Sequence, residues 1–222
     1  MTLPKNQSFI KKQGWPLDSF DTNRLIESFV YTLWLTGLAL VSAVIAMLLF
    51  AFLVQNLPPR CSLFIRFVIN LQRMTPPIVL LYLIYFGVFH ALSSHITLKP
   101  GAALISVMVL SLYTGAGAST VLSDALIKTL DKSNTSFEHW VSALLLCQQS
   151  IKANLVNLVK AAGMASVLAV PNAILIVTSI ASSQGNVLML MNFLMIFYYL
   201  TVLLCIKLCD FITHYLSYKL LK

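Results

Sequence analysis

The chain has 222 residues, of which 59% are hydrophobic and only 10% charged. Globular domains carry roughly 45–50% apolar and about 25% charged residues, so composition excludes an ordinary soluble domain and points to a bilayer as the solvent. The formal net charge of +8 sits outside the longest apolar runs. With no soluble basic domain carrying aromatic platforms, that charge fits membrane lipids with anionic headgroups and a positive-inside orientation rather than nucleic acid.

Residues 1–23 form a polar tail with Lys5, Lys11 and Lys12, and it does not read as a secretory signal. Trp15-Pro16 is a candidate interfacial anchor. Asp21, Thr22 and Asn23 offer N-cap oxygens. The uncharged run 29–54 is longer than the ~20 residues needed to cross the hydrocarbon core, and is the first predicted span. Leu57-Pro58-Pro59-Arg60 ends it. The next apolar stretch is interrupted by Arg66 and Arg73, so its first turns belong at the interface or against protein. The second predicted span is 74–92, with Pro76-Pro77 tolerated in its first turn.

A polar gap leads to the third span, 102–122, which carries the small-residue run Gly115-Ala116-Gly117-Ala118-Ser119. Such a collar allows close helix packing in lipid; it can also border a path. Residues 124–159 are expected to be an amphipathic connector on the membrane surface or against a partner, because Glu138, His139, Gln148, Lys152 and Asn154 interrupt its apolar period. The fourth span, 161–182, is broken by Pro171-Asn172, which is acceptable in a bilayer only where protein or water satisfies the freed backbone groups. The fifth is 187–206, and a basic end follows at 216–222. The fold class is therefore all-α, a polytopic membrane protein of about five helices filling 24–215, with its termini on opposite sides. The distribution of Lys and Arg favours the N-terminus outside.

Chemistry is sparse. Cys61, Cys147, Cys205 and Cys209 lack ligand spacing and read as buried hydrophobes, so no metal or other cofactor is expected. There is no Ser/His pair, no HExxH, no paired carboxylates and no phosphate-binding glycine loop; the chain is not expected to be an enzyme. The polar groups inside predicted spans are hydroxyls. Thr75, Tyr82, Tyr85, Tyr113, Thr114 and Ser119 are candidates for lining a path, with interhelical hydrogen bonding as the plainer reading of each.

Several stretches resemble a known family, the membrane (permease) subunits of polar amino-acid ABC importers. Thr32-Leu33-Trp34-Leu35-Thr36 is similar to the family's T-L-x-L-(T/S). Arg73-Met74-Thr75-Pro76-Pro77, continuing through Leu81-Tyr82-Leu83-Ile84-Tyr85-Phe86-Gly87, resembles R-G-T-P-L… L-F-x-I-Y-F-G. Leu110-Ser111-Leu112 with Gly115-Ala116-Gly117 resembles L-S-L-x-x-G-A-Y, and Leu158-Val159-Lys160 with Ser166-Val167-Leu168 is a looser match. The resemblance implies a type I importer fold in the bacterial cytoplasmic (inner) membrane. It implies a second permease subunit, the same or a sister chain, a separate ATP-binding ABC subunit, and a periplasmic or lipid-anchored amino-acid-binding protein.

The chain also departs from the family. Thr120 and Ser123 stand where it has glutamate and arginine, and no glycine or Glu-Ala-Ala occurs in the interval before Gly163 that should hold the EAA coupling loop. What remains to dock an ATPase is Ser133, Phe137, Glu138, His139 and Trp140. The alternative is a diverged accessory or scaffold protein that keeps the permease fold and has lost ATPase coupling.

Overall fold

A computed structural model of the chain describes residues 18–89, 101–129, 136–184 and 187–220. Ser133, the tail to residue 17, most of the polar gap and the last two residues lie outside the described residues. Every regular element among the described residues is a helix.

Helix α1 is Ser19–Asn56, and it stops where Leu57 turns extended ahead of two prolines. Proline has no N–H to continue a helix and disfavours helical backbone in the residue before it. Helix α2 is Pro59–Met74. Helix α3 is Pro77–Phe89, an α-helical turn and a half to Tyr82 followed by a wider π-helix from Leu83. Helix α4 is Ala102–Thr129 and α5 is Ser136–Leu146. Helix α6, Gln148–Ala162, tightens into a 3₁₀ segment over Gly163–Leu168. Helices α7 and α8 are Ala173–Gln184 and Val187–Leu220.

Packing gives each helix its direction. Leu35, Ala39 and Ala43 of α1 share a core with Ile105, Val109 and Leu110 of α4. Met47 and Ala51 share the next with Ala118, Leu122 and Ala125. Both sets ascend together, so α1 and α4 are parallel, and the chain between them must return across the bundle through α3. Helix α6 starts beside Met47 and Leu48, while α7 meets α1 near Thr32 and Leu25. Together α6 and α7 therefore make one antiparallel crossing, broken at residues 169–172. Helix α8 runs parallel to α1, from Leu190 near Leu25, through a stacked Phe29–Phe197 pair at 4.4 Å, to Cys209 beside Val44.

Among the described residues, four helices are long and apolar enough to cross a membrane, or up to five crossings if α2 and α3, bent by 109°, count as one. The fold is all-α and polytopic. Two details differ from the expectation. The fourth crossing starts at Gln148 rather than at residue 161, and the expected connector over 124–159 is divided among the end of α4, the short α5 and most of α6. Leu155, Leu158 and Val159 of α6 are buried in the main core. Of the polar residues that argued for a surface helix, Asn154, Gln148 and Lys152 line gaps between helices, while Gln149 stays exposed.

The tightest contact joins α1 and α4. A Cβ built on Gly115 would lie 2.6 Å from the Ala46 Cβ, 3.0 Å from the Met47 nitrogen and 3.1 Å from the Ala43 oxygen. In lipid, close backbone approach over small residues replaces hydrophobic collapse as the source of helix association. Gly117, two residues on, points elsewhere: its added Cβ would meet the Asn154 Oδ1 of α6 at 2.8 Å. The collar thus serves two partners.

The break between α6 and α7 is closed by protein groups. Ala169 sits in the left-handed region at φ 57° and ends the 3₁₀ segment. Asn172 is buried; its amide donates to the Gly163 carbonyl at 3.1 Å, and its Oδ1 accepts the Leu175 N–H at 3.0 Å, capping α7. The Ala173 N–H donates to the Thr32 hydroxyl at 2.8 Å, and that hydroxyl donates to the Ser28 carbonyl at 2.7 Å. At Gly163 a Cβ would meet the ends of the Ile174 and Tyr198 side chains, so glycine gives α7 room to fold back without displacing them. Asn172→Ala removes a cap and orphans two buried groups, and is expected to cost about 2–3 kcal/mol. Gly115→Ala, which must push backbone apart, is expected to cost about 1–3 kcal/mol. Gly117→Ala displaces only a side-chain end and should cost less than Gly115→Ala. Unfolding titrations in mixed detergent micelles measure all three.

Candidate translocation site and coupling helix

A cavity of about 270 Å³ opens between the start of α3, the middle of α4 and α6. Pro77, Tyr113, Thr114, Asn154, Asn157, Lys160, Ala161 and Met164 line it. The lining carries one cation, two amides, a phenol and a hydroxyl, and no acidic side chain. Within apolar helices, polar groups left facing a cavity rather than paired to backbone are what a polar solute can use. The site is built by spacing: Asn154, Asn157 and Lys160 lie three apart on α6 and so share a face. Gly117 gives α4 room to sit under Asn154, whose amide is tied back to the Ser150 carbonyl at 2.8 Å.

Of the six path candidates, Tyr113 and Thr114 are brought together at this cavity. The other four are elsewhere. Thr75 closes α2, its hydroxyl donating to the Leu71 carbonyl at 2.8 Å. Ser119 is fully buried and donates to the Ala116 carbonyl at 2.9 Å. Tyr82 and Tyr85 both pack on Phe86, the first stacked at 5.8 Å and the second edge-on at 4.9 Å. They flank the start of the π-helix, whose wider turn changes how successive side chains are aimed. Sequence reasoning missed Asn154, Asn157 and Lys160 as lining residues. The available signal was their i, i+3, i+6 spacing beside a run of buried leucines and valines.

Helix α5 caps the end of the bundle where α1 and α4 finish. Trp140 and Leu144 pack against the core of Met47, Ala51, Leu122 and Leu126. His139 Nε2 lies 2.8 Å from the Leu126 carbonyl, in the last turn of α4. A carbonyl only accepts, so this nitrogen carries the proton, and the imidazole satisfies a helix-end carbonyl. Of the expected coupling residues, His139 and Trp140 therefore seat α5 on its own chain, Phe137 is exposed, and Glu138 is partly exposed. At the same end, Lys152 of α6 and Asp210 of α8 form an ion pair at 2.6 Å. Among the described residues there is no group of three or more His, Cys, Asp or Glu able to hold a metal.

If the cavity is wet, cysteines placed at Asn157 and Tyr113 in a cysteine-free background will react with a charged, membrane-impermeant thiol reagent. A cysteine at Ser119 will stay unmodified in the folded protein. Mass spectrometry of labelled membranes reads the difference, and equal labelling at all three positions contradicts the site.

A scan against protein-family models and a search of curated proteins both found no match. Among solved structures, the chain is similar to the crystal structure of an amino acid ABC transporter with histidines. The likeness has a TM-score of 0.70 at 18% sequence identity, and covers 89% of this chain and 98% of that one. At that identity the similarity is one of fold. It extends over nearly the whole of both chains, so this helical bundle shares the fold of that ABC-transporter chain.

Proposed function

We propose that this chain is the transmembrane subunit of an ABC-type importer for polar amino acids in a bacterial cytoplasmic membrane. It forms the path with a second permease subunit, receives its cargo from an amino-acid-binding protein and is driven by a separate ATPase. The observation that carries the reading is the open polar cavity lined by Lys160, Asn154, Asn157, Tyr113 and Thr114 in a bundle of this fold, with Asn157 and Lys160 exposed and Asn154, Tyr113 and Thr114 turned further in. A carboxylate, carried by every amino acid, is the natural partner of the lysine ammonium. The amides and hydroxyls suit the remaining polar groups. The chain supplies walls and a lever rather than bond chemistry. Helix α5 is the lever, since it is fixed to the ends of α1 and α4 and continues through Cys147 into the cavity-lining α6.

A second reading, a non-pumping accessory subunit, is favoured by one feature. His139 and Trp140 are turned onto their own chain, which leaves Phe137 and, at the other end of α5, Leu146 as the large exposed side chains for an ATPase to grip.

ATP-driven uptake of labelled amino acids tests the first reading, using proteoliposomes made from the complex purified through this chain. Lys160→Met is expected to lower uptake at least about ten-fold while subunit composition stays unchanged. Undiminished uptake in Lys160→Met and Asn154→Leu would remove the cavity from the path.

A further inference from the structure

Helix α2 is neither a span nor a loop. It follows α1 through the Pro58-Pro59 corner, where the Ser62 hydroxyl donates to the Val54 carbonyl at 2.9 Å and locks the turn. It then meets α3 at 109°. Helix α3 carries the chain back across the bundle, so α2 lies across that direction, starting at the end of α1 and reaching Ala116 of α4 through Ile69. One face seats it: Ile65 and Ile69 pack on Val54, Phe50 and Ala116.

Among the described residues, nothing covers the opposite face. Leu63, Phe64, Phe67, Leu71 and Met74 are all exposed and fall on one side of the helix. Arg66 and Arg73, seven residues apart, run along the flank of that stripe, and Arg60 stands at the first turn. The helix holds no aspartate or glutamate, and none of its three arginines makes an ion pair among the described residues. An exposed apolar stripe beside a purely basic flank is the pattern of a helix lying in the membrane interface, with its apolar side in the acyl region and its cations at the headgroups.

We infer that α2 is an in-plane binding surface for anionic phospholipid headgroups, held by Arg60, Arg66 and Arg73 with the Leu63–Met74 stripe immersed beneath them. Charge decides the occupant. A second copy of this face would set three arginines against three arginines, and another protein would have to bring acids for all of them. An anionic leaflet supplies the counter-charge along the whole length of the helix. The surface also reaches the interior, because Arg66 and Asn70 share a small cavity of about 90 Å³ with Thr120, Ser123 and Asp124 near the end of α4.

The test uses the full chain in lipid nanodiscs of phosphatidylcholine, with or without about 30% phosphatidylglycerol. Native mass spectrometry counts retained lipid. Spin labels at Phe67→Cys and Leu71→Cys, with the native cysteines replaced by alanine, report accessibility to oxygen and to a water-soluble nickel chelate. The expected result is oxygen-accessible, nickel-shielded labels and a preference for phosphatidylglycerol that falls roughly five-fold for each of R60Q, R66Q and R73Q. Lys128→Gln with Lys207→Gln, two exposed cations elsewhere, should leave the preference unchanged. Labels open to the nickel chelate, labels shielded from both probes, or an undiminished preference in the triple arginine variant would each overturn the assignment.

Discussion

The structure depends first on the contact between α1 and α4 at Gly115. A lipid tail is as apolar as a leucine, so nothing expels these helices from their surroundings; they stay together because their backbones come close enough for dense packing. Gly115 beside Ala43 and Ala46 permits that approach. Once the two parallel helices are joined, the other elements have defined places. Helix α3 must return alongside α4, α5 caps the common end of α1 and α4, and α6 lies in the groove that Gly117 leaves on the far side of α4.

The second constraint is the broken crossing formed by α6 and α7. A break exposes backbone groups that lipid cannot satisfy. Here Asn172 caps one helix and ties down the other, and Thr32, from the first helix, takes the N–H of Ala173. The break is therefore anchored to α1, and α7 is free to leave the line of α6. A continuous helix would carry its axis straight past α1 and α8. The bent one fixes α6 against α4, which sets the depth at which Asn154, Asn157 and Lys160 meet Tyr113 and Thr114.

Much of this was legible in the sequence. Long uncharged runs gave α1, α4 and α8, because only helices bury that many consecutive apolar residues without leaving backbone groups unpaired. Pro171-Asn172 marked the break, and Gly115 marked close packing. The assignment of α6 to a surface connector did not hold, for a physical reason. The polar face of α6, with Asn157 and Lys160 exposed, reads like that of a surface helix, but its other face, Leu155, Leu158 and Val159, is buried in the main core, and that depends on helices far away in sequence. Four of the six hydroxyl candidates lie away from the cavity because residue type alone does not say which face of a helix is turned inward. Ser119 and Thr75 bond back to their own helices instead. The role of α5 was visible only as a short amphipathic stretch. That His139 and Trp140 point inward depends on the ends of two distant helices.

The most direct test of the importer reading is affinity purification of the chain from its native membrane in mild detergent, with the co-purifying subunits identified and counted. The account predicts an ATP-binding ABC subunit in stoichiometric ratio, lost when the exposed Phe137 is replaced by aspartate and retained in Lys160→Met. Absence of any ATPase, under conditions where a control permease keeps its own, would contradict the pumping role and leave the accessory reading in its place.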